Sequence, residues 1–217
     1  MYPFGKKKYV TPTSKNNKRA LSEDYIKKVL DYKTVEYSEL DRSKDFWIFT
    51  YLCNGINMKD ILRLKWSDVS DKFLVYVRSK TKLTKRTREP IYVALKDRAK
   101  DVIRKWGVPS ENKEDYIFPY MRGVEPDSIK ERKTINQVTK VINKYLNIVG
   151  KDLELPFKLT TYVGRHTFAT VMIRNGADLP MLKSLLGHSS IITSEKYVST
   201  LPLNDLEKLT DKLVKFN

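Results

Sequence analysis

Cysteine is nearly absent from this 217-residue chain. Cys53 stands alone, so no internal disulfide can form. It lies in an apolar helical run and reads as a buried thiol in a reducing compartment. Histidine occurs only twice, at His166 and His188. Two histidines so far apart, with no cysteine or carboxylate cluster beside them, do not make a zinc site. No apolar run approaches the ~18 residues of a membrane span, and no signal peptide is evident. Acidic residues are scarce: 26 Asp and Glu stand against 42 Lys and Arg, a net charge of +16. That excess favours a polyanion, nucleic acid first, over a soluble basic protein with scattered lysines. Hydrophobic residues make up 41% and charged residues 31%, which is a globular rather than a disordered composition. The length allows one good-sized core or two small ones. No internal repeat or low-complexity segment interrupts it.

Residues 1–20 are basic and carry two prolines and a glycine, the composition of a linker or extended arm. Ser22 can cap a helix through about Tyr32. A second helix is predicted from about Ser43 to Asn54, with Phe46, Phe49, Tyr51 and Leu52 in the core and Gly55 ending it. A third starts near Asn57 and carries Ile61, Leu64 and Trp66. Phe73–Val77 and Pro90–Leu95 alternate as two strands of a hairpin, joined by a densely basic loop. A helix follows from about Asp97 to Trp106, ended by Gly107 and Pro109. Residues 110–132 are polar and irregular. Thr134 can cap a long helix to Val149 whose apolar face includes Ile135, Val138, Ile142 and Leu146. Three more helices are expected over 161–175, from near Pro180, and over 191–198. A last amphipathic helix spans Leu203–Phe216. It packs on its own core or docks on a neighbouring copy.

The stretch from Thr160 to Thr200 organises the chain. It holds both histidines, an arginine inside a helical apolar pattern (Arg165), and Tyr197 nine residues after His188. Arginine and histidine can hold the charge of a phosphate, and tyrosine can attack it, so these residues are equipped for metal-free phosphodiester transfer. Arg165 lies on a helix beside Val163, Phe168 and Val171, where a guanidinium needs a protein or phosphate partner. The residues Tyr162-Val163-Gly164-Arg165-His166-Thr167-Phe168-Ala169-Thr170, then Leu186-Gly187-His188 and Tyr197, resemble the C-terminal box of the tyrosine recombinases, the phage-integrase family. Tyr162 stands where that family usually has a histidine. The resemblance extends more weakly from about Ala20 to the C-terminus.

The resemblance implies a tyrosine recombinase catalytic domain over 21–217, of the DNA breaking-rejoining enzyme fold: mainly α, with a small antiparallel β-sheet near the DNA. It implies that 1–20 is a basic interdomain linker, with Met1 starting a truncated chain that lacks the family's upstream DNA-binding domain. Tyr197 becomes the nucleophile, giving a 3′-phosphotyrosine and a free 5′-hydroxyl, with neither metal nor nucleotide cofactor. Arg165 and His188 grip the scissile phosphate. Lys80, in Ser79-Lys80-Thr81, becomes the acid that protonates the departing oxygen, with Lys82 and Lys85 as alternatives. Lys82, Lys85, Arg86 and Arg88 are otherwise DNA contacts, on a loop that can equally be a solvated basic turn.

The family's first box matches from Gly55 to Asp68, except that Asn57 replaces its arginine. An amide offers one hydrogen bond without charge or fork. Asn57 reads as an N-cap paired with Asp60, as a phosphate contact, or as both. Lys59 and Arg63 lie roughly opposite it on the helix. Asp60 either buttresses Arg165 or caps the helix. Tyr162 is a phosphate donor or a structural tyrosine, and a poor base with an ordinary pKa near ~10. His166 is expected to support the site through the backbone. The expected activity is site-specific recombination of double-stranded DNA by a mobile-element integrase, monomeric alone and tetrameric on DNA, in a bacterial cytoplasm beside the nucleoid. The alternatives are a DNA-binding module that has lost catalysis and a type IB topoisomerase-like enzyme.

Overall fold

The computed structural model describes residues 19–79 and 89–198. Most of the N-terminal arm, the hairpin residues Lys80, Lys82, Lys85, Arg86 and Arg88, and the helix expected over 203–216 lie outside the described residues. After α1 (Glu23–Asp31) the chain enters α2 (Glu39–Leu52). Four consecutive large side chains of α2, Phe46, Trp47, Ile48 and Phe49, are fully buried. At about 100° per residue they point to every side of a helix, so α2 must be surrounded. It begins four residues before the expected Ser43. The start is set by a cap rather than by apolar spacing: the Ser38 hydroxyl accepts from Asp41 N at 3.1 Å, and Glu39 and Asp41 place negative charge in the first turn.

Asp41 is also a latch. Its buried carboxylate accepts from Thr34 Oγ1 at 2.7 Å and Tyr37 N at 2.8 Å, and pairs with Lys105 Nζ at 2.5 Å. Burial pushes this carboxyl up, but the bonds from Lys105, Thr34 and Tyr37 outweigh it and hold the group below its ordinary value. Lys105 belongs to α4 (Asp97–Trp106), which runs over the span expected for it.

Beyond α2 the chain reverses through Asn54 (φ 53°) and Gly55 (φ 64°). Helix α3 (Met58–Leu62) is shorter than expected, and Trp66 lies in a separate turn, Trp66–Asp68. The helix stops because its next peptides bond elsewhere: Trp66 N to Asp115 O, and Ile117 N to Leu64 O. The strands β1 (Phe73–Tyr76) and β2 (Ile91–Ala94) pair antiparallel, with Phe73 opposite Ala94 and Tyr76 opposite Ile91. Leu74, Tyr76, Ile91 and Val93 face the core.

The long helix α5 (Ile129–Asp152) starts at Ser128, not at Thr134. Its first turns have no apolar face for periodicity to register. An ion pair holds them instead: Arg63 grips both Glu131 oxygens, each at 2.6 Å. Thr134 lies within the helix and donates to Lys130 O at 3.0 Å. Then come α6 (Thr161–Arg174), capped by Thr160; α7 (Leu179–Leu186), capped by Asp178; and α8 (Ile192–Val198). Helices α4, α5 and α6 pack on α2. Gly164 lets α6 approach closely: a Cβ there would lie 3.2 Å from Trp47 Nε1 and 3.4 Å from Thr50 Cγ2. Among the described residues, no helix is long and apolar enough to cross a membrane.

Two stability outcomes follow. Asp41→Asn should cost about 2 kcal/mol at pH 7 in urea unfolding, because it removes the buried charge that pairs with Lys105 and leaves that lysine only Asp45, at 3.1 Å. Because the folded-state pKa is depressed, that stabilisation is present above the ordinary carboxylate pKa of about 3.9 and fades below it. The gap between wild type and variant should therefore narrow as the pH falls below that value. Gly164→Val should lower stability by about 2 kcal/mol through overpacking against Trp47, seen as an earlier urea midpoint.

Candidate active site

Arg165 stands one residue after the glycine that seats α6 on α2. It is buried, at 3% exposure. Its guanidinium donates from one terminal nitrogen to Gly55 O at 2.6 Å and from the other to Leu186 O at 2.7 Å. The turn after α2 and the end of α7 thus hold it from two sides. Gly55 must be a glycine on two counts: its φ is +64°, and a Cβ would come within 2.9 Å of Arg165 Cγ. Burial lowers the Arg165 pKa, and the nearby charge of Arg78 lowers it further.

His188 follows Gly187, whose left-handed φ of 59° ends α7. Its Nδ1 lies 2.9 Å from Ser194 Oγ, so the start of α8 orients the ring. Tyr197, on α8, is 2% exposed and packs against Phe168, Leu182 and Leu186. Its ring stacks on His188 at 6.3 Å between centroids and leans on His166 at 5.4 Å. Burial pushes the Tyr197 phenol up to about 12. Arg165, by charge and by a hydrogen bond, and Arg78, by charge, pull the other way. Tyr197, Arg165, His166 and His188 are therefore brought together.

The other expected residues sit at the edge. Tyr162 is 58% exposed, edge-on to His166 at 4.3 Å. It lines a cleft of about 280 Å³ with Asn57, Lys59 and Asn143. Asn57 holds the N-cap position of α3, but its side chain makes no capping bond. The expected Asn57–Asp60 capping pair is thus replaced: Asp60, buried, accepts from Ser79 N at 2.9 Å. Asp60 therefore anchors the hairpin at the residue before Lys80. Neither neighbouring base stands in for Asn57. Arg63 is committed to Glu131 and Asp127, which raise its pKa, and Lys59 lies 3.7 Å from Asp127. Sequence reading missed Arg78 and Ser194. Ser194 carried a signal, lying within the stretch between His188 and Tyr197. Arg78 carried none, because its reach to α7 depends on how the hairpin packs. Among the described residues, no group of three or more His, Cys, Asp or Glu could hold a metal.

A buried tyrosine beside an arginine and two histidines carries the groups that phosphodiester transfer uses, and the chain has relatives among known proteins. The chain is 28% identical over 184 residues to the tyrosine recombinase XerD of Proteus mirabilis, covering 82% of this chain and 53% of that one. It is 27% identical over 188 residues to XerC of Rickettsia peacockii, covering 84% and 56%. The chain thus spans about half the length of these relatives. Among solved structures, XerA recombinase superposes with a TM-score of 0.59 at 23% identity, over 92% of this chain and 66% of that one. The Tn1549 transposon integrase, solved in complex with transposon right end DNA, gives 0.63 at 14%, over 95% and 69%. The fold is that of the tyrosine recombinase catalytic domain. The model of the phage integrase family matches residues 15–202, and the chain belongs to that family.

Proposed function

We propose that this chain is the catalytic domain of a site-specific DNA recombinase that cuts and rejoins double-stranded DNA through a 3′-phosphotyrosine at Tyr197. The observation that carries this is the packing of one tyrosine against Arg165, His166 and His188 in a single buried site. Arg165 and His188 hold the non-bridging oxygens of the scissile phosphate and the charge that builds on them. Tyr197 attacks in line. Its bond to phosphorus forms as the bond to the 5′ oxygen breaks, and Lys80 gives that oxygen a proton. Asp60 supports the hairpin by fixing Ser79. Tyr162 and Asn57 hydrogen-bond the phosphate from the cleft side. The phosphotyrosine keeps the energy of the broken bond, so a 5′-hydroxyl of a partner strand can reverse the step. Lys82, Lys85, Arg86 and Arg88 bind the DNA backbone.

Support also comes from the charge of +16 and from the family's members, several named as recombinases. The DNA-bound Tn1549 and XerH structures share the fold. Joining two sites calls for four copies on DNA, assembled from monomers in a bacterial cytoplasm. The replacement of the family arginine by Asn57 favours the second reading, a DNA-binding module without catalysis.

The test incubates the chain with a pool of duplexes carrying a randomised segment, stops with SDS, and recovers protein-linked DNA. Wild type should form an adduct and Tyr197→Phe none. DNA binding without any adduct would move the assignment to the binding module. Binding should also weaken with salt, by at least about tenfold between roughly 0.05 and 0.2 M. Salt-insensitive binding would contradict a backbone-reading surface.

A further inference from the structure

We propose that Arg78 is a catalytic residue of this recombinase: it supplies the second phosphate-binding guanidinium that Asn57 does not. The inference rests on the reaction proposed above and goes beyond it. Arg78 lies two residues past the end of β1, and Asp60 clamps its neighbour Ser79 at 2.9 Å. From there the half-buried side chain crosses to the end of α7. Its guanidinium donates to Gly187 O at 2.9 Å, while that of Arg165 donates to Leu186 O at 2.7 Å. Two guanidinium groups are thus hung on consecutive carbonyls of one turn, directly before His188.

Gly187 makes room for this. A Cβ there would lie 3.2 Å from Arg78 Cδ and 2.4 Å from Ile91 Cδ1. Arg78 acts electrostatically on the groups that matter. Its charge depresses the Arg165 pKa, and with Arg165 it favours the phenolate of Tyr197. An anion that meets both guanidinium groups is attracted by both charges. A phosphodiester fits, with one negative charge and two non-bridging oxygens. In the transition state a second charge develops as the Tyr197 oxygen–phosphorus bond forms and the phosphorus–5′ oxygen bond breaks. The phenol proton passes to solvent and the departing oxygen takes one up. Asn57 can donate one hydrogen bond but brings no charge. Arg63 and Lys59 are committed to Glu131 and Asp127. Among the described residues, Arg78 has the position and the charge for this role.

The experiment measures single-turnover adduct formation on a duplex recovered from the pool, with DNA binding and thermal melting recorded for each variant. Arg78→Ala should slow adduct formation by about 100-fold with little change in DNA binding. Arg78→Gln keeps a donor for Gly187 O but no charge and should be similarly slow, so a mere loss of packing is separated from a loss of charge. Adding Asn57→Arg to Arg78→Ala should recover at least about tenfold. A neutral methylphosphonate at the scissile position supplies the second readout. It removes the charge that Arg78 answers, so the defect should shrink to within about fivefold, which a structural defect would not do. Arg78→Ala at wild-type rate, or a defect equal on both substrates, overturns the assignment of Arg78 alone. Failure of the wild type to form any adduct removes the reaction and Arg78's part in it together.

Discussion

A charged guanidinium buried on peptide carbonyls is the constraint around which this domain is arranged. The carbonyls of Gly55 and Leu186 take hydrogen bonds from Arg165 without cancelling its charge. A site built this way keeps positive potential in a region that excludes water, where it acts most strongly on a phosphate. Much of the fold serves that placement. The buried α2 turns back at Asn54 and Gly55 to present one carbonyl, and α7 ends at Gly187 to present the other. Gly164 lets α6 carry Arg165 in between.

The same burial governs the proposed nucleophile. Tyr197 is packed among Phe168, Leu182 and Leu186, and its phenol is held far from ionisation. A phenol pushed up to about 12 is almost wholly protonated near neutral pH.

Much of this was legible in the chain itself. Gly-His at 187–188, the tyrosine nine residues on, and the arginine inside an apolar helical run all mark chemistry at fixed spacing. The geometry gathers these residues into one site. The strands and α4 follow from alternation and from terminal glycine and proline. What failed did so for local reasons. Helix α5 starts with turns that have no apolar face and are held by the Arg63–Glu131 pair, so periodicity placed its start too late. Asp60 had the spacing of a capping partner but bonds from α3 to Ser79 beyond the end of β1, a contact visible only in three dimensions. Arg78 lay hidden for the same reason. A residue in a basic loop gives no sign of which way it reaches.

The most direct test of the account is to find which atom carries the DNA. The SDS-stopped adduct, digested with nuclease and protease, is read by mass spectrometry for the peptide that bears a nucleotide and for the end of the strand to which it is joined. The nucleotide should be on Tyr197, linked through the 3′ phosphate and leaving a 5′-hydroxyl. A nucleotide on any other residue, or a 5′ linkage, would contradict that assignment.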